Sequence, residues 1–263
     1  MNKRLTKQLI YGSGFLATFF LFTLFFYFIF LKSPATCFDN KQNQNETGID
    51  CGGVCVSCEL KNLSPLEIGF IKYFSVNNKA VITAQIKNSN QNYGVGSFSY
   101  ILEIYDKNKN KIKNIERNSF IYNLDVKYVI EITDLDYAAI GGVNLVFSNI
   151  LWKQKDEFKK PKITLREKIT KPSESGKGIE ISGIVVNESP FALAKAIIIS
   201  FLNNNNGIKI SASKTEIENL EPFGVKSFKI FFPVDVMLFS PQTSLFNVPL
   251  ADPNKTEIYI DAK

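Results

Sequence analysis

Apolar positions follow three different patterns along this chain. From Leu9 to Leu31 they are nearly continuous, no residue is charged, and Phe15, Phe19, Phe20, Phe22, Phe25, Phe26, Phe28 and Phe30 crowd the run. As a helix this stretch would be about 34 Å long, enough to cross a bilayer core. From residue 33 to residue 62 polar residues and glycine take over. Beyond that, short apolar runs alternate with polar positions and are separated by Asn, Gly, Asp and Pro, the pattern of half-buried strands. Ala80–Ile86, Phe98–Tyr105, Val143–Trp152, Ile179–Val186, Ala194–Leu202 and Phe228–Phe232 are the clearest, and Ile, Val, Phe and Tyr dominate them.

The strand pattern repeats. Val81–Ile86 ending at Asn88, the long run from Tyr100, the polar tip at Lys107–Lys111, Asn123-Leu124-Asp125 and Tyr128–Ile132 form the first copy. Ile179–Val186 ending at Asn187, Ala196–Leu202, the tip at Asn203–Gly207, Asn219-Leu220-Glu221 and Ser227–Phe231 form the second. A domain of just under a hundred residues with about seven short strands reads as an immunoglobulin-like β-sandwich. The expected organisation is a cytoplasmic tail over 1–8, a transmembrane helix over 9–31, a cysteine-rich collar over 33–62, and sandwiches over 63–153 and 162–263. The fold class is thus an all-β ectodomain of two tandem sandwiches behind one N-terminal helix.

Lys3, Arg4 and Lys7 precede the apolar run and Lys32 follows it, so the positive-inside rule places the N-terminus in the cytoplasm and the remainder outside the cell membrane. The run is longer than a cleaved signal's apolar region, and Ser33-Pro34-Ala35-Thr36 is a poor cleavage site, which favours an uncleaved signal anchor. The formal charge of +6 is unevenly spread: residues 1–32 contribute +4 and residues 153–177 contribute +5, leaving −3 for the rest. The chain outside these two stretches is mildly acidic, and the basic stretch between the candidate sandwiches reads as a solvated linker. No basic stripe with interleaved aromatics marks a nucleic-acid surface.

All four cysteines, Cys37, Cys51, Cys55 and Cys58, fall in the collar. Outside the cytoplasm this spacing reads as two disulfides with three possible pairings, because so short and polar a segment needs cross-links in place of a core. Zinc is the rival reading, on Cys55-x2-Cys58, but Cys37 and Cys51 do not form a matching pair. Asp39, Asn43, Glu46 and Asp50 are oxygen donors spaced by three or four residues, a candidate calcium set, and Gly48 permits the bend. The same acids read equally as turn caps.

On these residues two resemblances rest. The collar fits "C-x-D-x3-N-x2-E-x-G-x-D-C-G-G-x-C", and it resembles a secreted-protein motif found beside adhesion-type modules of bacterial surface proteins. Val185-Val186-Asn187-Glu188-Ser189, Asn206-Gly207 and Leu220-Glu221-Pro222-Phe223-Gly224 resemble the FxLYD group of bacterial envelope domains. Ile86-Lys87-Asn88-Ser89-Asn90 is similar to the strand end of late-embryogenesis-abundant sandwiches. These resemblances imply a β-sandwich fold and an envelope setting, and supply no catalytic residues.

Histidine is absent, which removes the usual triads and dyads. Asp134 and Asp136 would share a strand face, a position that solvation explains. Gly141-Gly142 and Gly176-Lys177-Gly178 lack phosphate-loop context. The chain therefore reads as a non-enzymatic, membrane-anchored binding, adhesion or scaffolding protein for an envelope protein or wall polymer. The alternative is a non-catalytic subunit of an envelope machine for secretion, pilus or wall assembly. There Gly12-Ser13-Gly14 and Ala17 would pack the span against other membrane helices.

Overall fold

The computed structural model describes residues 3–31, 36–173, 178–233, 237–238 and 250–263. It is mostly strand, 55% against 15% helix, so sheet packing carries the stability. Two compact units are present, Met1–Leu63 and Ser64–Lys263.

In the first unit, α1 (Lys3–Phe26) continues as a π-helical turn over Tyr27–Leu31. Thr6–Ile29 is long and apolar enough to cross a membrane, and none of it is buried within the protein. Three of its hydroxyls are satisfied by the helix's own carbonyls, which suits a lipid environment. Ser13 donates to the Ile10 carbonyl at 3.0 Å, Thr18 to Gly14 at 2.9 Å and Thr23 to Phe20 at 2.8 Å. A second helix, α2 (Cys58–Lys61), makes one turn capped by the Ser57 hydroxyl.

The second unit begins with six strands: β1 (Glu67–Val76), β2 (Lys79–Asn88), β3 (Tyr93–Tyr105), β4 (Lys111–Ile121), β5 (Asp125–Asp136) and β6 (Gly142–Gln154). They form two antiparallel sheets in the orders β1-β2-β5 and β4-β3-β6. Then follow β7 (Ile163–Pro172), β8 (Ile179–Asn187), β9 (Leu193–Asn203), β10 (Lys209–Leu220) and β11 (Val225–Phe232). A short parallel pair, β12 (Met237–Leu238) with β13 (Leu250–Ala251), precedes β14 (Glu257–Ala262). These give the orders β11-β8-β7 and β10-β9-β14, so each strand of the first half has a counterpart in the second. The first half has six strands where its length suggests about seven.

Buried asparagines fix the equivalence of the halves. Asn88 closes β2 by donating to the carbonyls of Tyr93 and Tyr122 at 2.8 and 2.9 Å, while its Oδ1 accepts the Asn90 N–H at 3.1 Å. Asn187 closes β8 likewise, donating to Phe191 and Glu221 at 2.8 and 3.0 Å and accepting the Ser189 N–H at 2.9 Å. The hairpin tips match too. Asp106 Oδ1 accepts from Asn108 and Asn110, and Asn204 Oδ1 accepts from Asn206 and Ile208.

Strand alternation places Ala80, Ile82, Ala84 and Ile86 of β2 opposite Phe98, Tyr100, Leu102 and Ile104 of β3 in one core. Ile179, Ile181 and Val185 of β8 meet Ala196, Ile198 and Leu202 of β9 in a second. A third core lies between the halves: Phe74, Val81, Tyr128 and Ile130 against Ile199, Phe201 and Ala212. Four sheets are therefore stacked, and β2 and β9 are buried on both faces.

This third core corrects the picture of sandwiches joined by a solvated linker. Phe158, inside the basic stretch, is buried and stacks on Tyr122 with ring centroids 4.5 Å apart. Lys160 pairs with Asp125 at 2.6 Å and Lys162 with Glu188 at 2.9 Å. The bases of the joint are thus spent partly on local carboxylates, and one aromatic pins its backbone. Trp152 packs against the first core.

Candidate functional site

The collar is closed by Cys37–Cys55 and Cys51–Cys58, with Cα separations of 5.6 and 4.8 Å. All four sulfurs are in disulfides, so none is a thiolate and the zinc reading falls. Gly52 and Gly53 take positive φ of 79° and 59°. A Cβ on Gly52 would lie 2.0 Å from the Thr47 hydroxyl, and one on Gly53 2.4 Å from the Asn45 carbonyl, so the paired glycines are sterically required.

The candidate calcium residues are brought together and linked to one another. Asp50 accepts the backbone N–H groups of Asp39 and Asn40 at 3.0 Å, and Lys61 lies 3.8 Å from it. Glu46 Oε2 accepts the N–H groups of Asn43 and Asp50, both at 3.1 Å, and Oε1 sits 3.0 Å from Cys55 Sγ. Asp39 accepts the Asn43 side-chain amide at 2.9 Å and the Lys41 N–H at 3.0 Å. These donors hold the Asp39 carboxyl below its ordinary pKa, the Asn43 amide first among them. The carboxylates thus organise the loop by binding amides, the work a hydrophobic core would otherwise do. Asn43 Oδ1 is buried without a partner among the described residues.

The second candidate lies where the two halves of the β unit meet. A cleft of about 410 Å³ is lined by Tyr122, Asp125, Lys160, Leu165, Tyr259 and Asp261, and a second of about 280 Å³ by Arg117, Glu131, Lys195 and Lys214. Lys127 and Asp261 border both and form an ion pair in which the lysine is buried and the carboxylate largely so. Lys127 Nζ also lies 3.8 Å from the centre of the Phe120 ring. Burial pushes the Lys127 pKa down and the Asp261 pKa up; their mutual attraction opposes both shifts.

Around this pair the polar groups are paired as well. Tyr100 donates to Glu131 at 2.8 Å, and burial followed by that carboxylate's charge raises the phenol's pKa. Arg117 lies 3.6 Å from Glu131, Lys195 pairs with Glu216 at 2.5 Å, and Lys214 donates to the Ile130 carbonyl at 2.7 Å. Tyr128 packs on Tyr259 and Phe201, with ring centroids 4.2 and 5.2 Å away. Asp136 pairs with Lys79 at 2.6 Å and Asp134 with Lys113, so these two exposed acids are engaged by separate lysines.

Sequence reasoning missed this junction. Its residues come from strands far apart in the chain, Lys127 and Asp261 being separated by 134 positions. One signal was available: Ala196–Ile199 and Ala80–Ile82 are unbroken apolar runs, which mark strands covered on both faces.

No family model matches the chain, and no curated protein matches it. Among solved structures it is similar to a red sea bream transglutaminase, at 12% identity over 77% of this chain and 30% of that one, with a TM-score of 0.23. The chain thus spans less than a third of that structure, and a TM-score of this size defines no shared fold.

Proposed function

We propose that this chain is a single-pass membrane protein that displays two immunoglobulin-like sandwiches outside the cell as a non-catalytic binding or scaffolding module. Residues 1–8 lie in the cytoplasm, 9–31 cross the bilayer, and the remainder is extracytoplasmic. The FxLYD-like strand ends and the secreted-type cysteine motif support an envelope setting. The observation that carries the reading is the pairing of polar groups at the junction: Lys127, Lys160 and Lys195 are held by carboxylates and Lys214 by the Ile130 carbonyl, and the repeats pack through a shared apolar core. A rigid display module needs that arrangement. Envelope protein or wall polymer would then meet loop tips and the outer sheet faces.

The test is capture from envelope extracts and cell-wall fractions by the full chain in detergent, with protease accessibility of intact cells to fix orientation. Loss of both capture and external cleavage would sink the proposal. The subunit reading keeps one observation in its favour. Gly12 and Gly14 leave open space on the helix, where another helix could approach closely. Replacing the span by an unrelated anchor separates the two: retained function favours a tether, lost function a subunit.

A further inference from the structure

We propose that the collar is a lipid-contacting foot, in which Phe38, Val54 and Val56 enter the headgroup and upper acyl layer of the bilayer crossed by the N-terminal helix. The inference rests on the reading of that helix as a membrane span. Its starting observation is an inversion of the usual order of burial. Within the collar the carboxylates of Glu46 and Asp50 are buried, each residue only 7% exposed, while Phe38 is 88%, Val54 72% and Val56 59% exposed. Water-facing loops bury apolar side chains and expose carboxylates; here two carboxylates are buried while Phe38, Val54 and Val56, together with Ile49 at 56%, are exposed. The inside-out order holds because the backbone amides of Asp39, Asn40, Asn43 and Asp50 satisfy the carboxylates internally.

All three apolar residues stand next to the cysteines of one disulfide. Phe38 follows Cys37, and Val54 and Val56 flank Cys55, its disulfide partner 5.6 Å away between Cα atoms. The cross-link fixes the backbone that carries all three positions, which limits the ordering left to occur on contact. The occupant follows from the tether. Cys37 lies six residues beyond Leu31, and a chain of that length spans at most about 20 Å. The patch therefore cannot leave the neighbourhood of the membrane surface. Three exposed apolar side chains tethered this close to the span suit the interfacial layer. Because the contact is apolar, it needs no anionic lipid.

The experiment uses the full chain in phosphatidylcholine vesicles, with Trp152→Phe to remove the native fluorophore. In that background Phe38→Trp places a single indole on the collar, and a separate Phe25→Trp variant places one in the span. Expected for the collar indole are a blue-shifted emission, loss of intensity in lipids brominated near the top of the acyl chain, and protection from acrylamide. The quenching should persist at high salt. If the span indole is quenched by brominated chains and the collar indole responds only to acrylamide, the foot is overturned while the span stands. Protection of the collar indole from both quenchers also overturns it, since a second copy of the chain would then cover the patch. Failure of brominated lipid to quench the span indole removes the membrane reading itself.

Discussion

At the scale of single residues, Asn88 and Asn187 are the most consequential polar groups of the β unit. Each is buried and satisfies backbone groups on segments that no ladder pairs. Replacing either with alanine strands those carbonyls and the amide two residues on, and should cost about 3 kcal/mol in a urea titration. Lys127 and Asp261 behave differently. Lys127→Met alone leaves a buried carboxylate without its cation and should cost roughly 3–5 kcal/mol, whereas Lys127→Met with Asp261→Leu should lie within about 1 kcal/mol of the parent. Equal losses in the single and double variants would show that the charges are not the determinant. Glu103 supplies a pH test. Hydrogen bonds from Lys111, Asn144 and Tyr105 lower its pKa from 4.5 to about 2. A carboxylate depressed on folding stabilises fully above its unfolded pKa and loses that contribution as pH falls through its folded value. Thermal melts between pH 5 and 2 should therefore be flatter for Glu103→Gln than for the parent. The asparagines were visible in the sequence as strand ends, but their carbonyl partners were not, because a side-chain amide's reach depends on which loops return beside it.

At the scale of elements, the collar and the strands are stabilised by different means. Between Thr36 and Leu63, Cys51 is the one buried apolar residue among those described, so cross-links and amide-bound carboxylates replace a core. Closing a loop of Cys37–Cys55 size is worth about 3 kcal/mol through the unfolded chain. Cys37→Ser with Cys55→Ser should make residues 37–58 the first site cut in limited proteolysis while the strands from Glu67 stay intact. Simultaneous cutting throughout the chain would contradict this. The strands were legible from alternation: each of the six clearest apolar runs lies within an observed strand. Edge strands carry irregularities where a ladder would otherwise be open. β7 has Glu167 at φ 53° within a register shift, and β6 has Asn149 at φ 53°. Such bulges twist an edge away from further pairing.

At the scale of the β unit, the two halves meet through unlike faces. The first half presents β1-β2-β5 and the second presents β10-β9-β14. Such packing could in principle continue indefinitely. Polar residues at several positions of the free faces oppose it. By strand register, Val81, Tyr128 and Ile130 of the contact correspond to Glu180, Ser227 and Lys229 on the outer face of the second half. On the other side, Ile197 and Phe201 correspond to Ser99 and Glu103 on the outer face of the first. At these positions the backbone surface is apolar where it is covered and polar where it ends the stack, while Val225 and Phe231 remain as exposed apolar residues on the free face of the second half. Val81→Glu with Ile130→Lys would copy the free face onto the covered one. Burying those charges should cost about 3 kcal/mol or more and undock the halves. A larger radius of gyration and new cleavage near Phe158 would report it, and an unchanged radius would refute it.

By itself the sequence determined the apolar span, the disulfide-rich collar and the strands, because each is a local property: length of an uncharged run, cysteine spacing, or a period of two. It also displayed the repeat, through Asn88 and Asn187 and the two polar hairpin tips. Tertiary structure alone decided which cysteines pair, since four allow three pairings and only the fold brings two Cα atoms to within about 6 Å of each other. It alone decided that the outward sides of β2 and β9 face each other. Burial on a strand's second face depends on what arrives from elsewhere in the chain, and the residues that meet there, Lys127 and Asp261, carry no mark of each other in sequence.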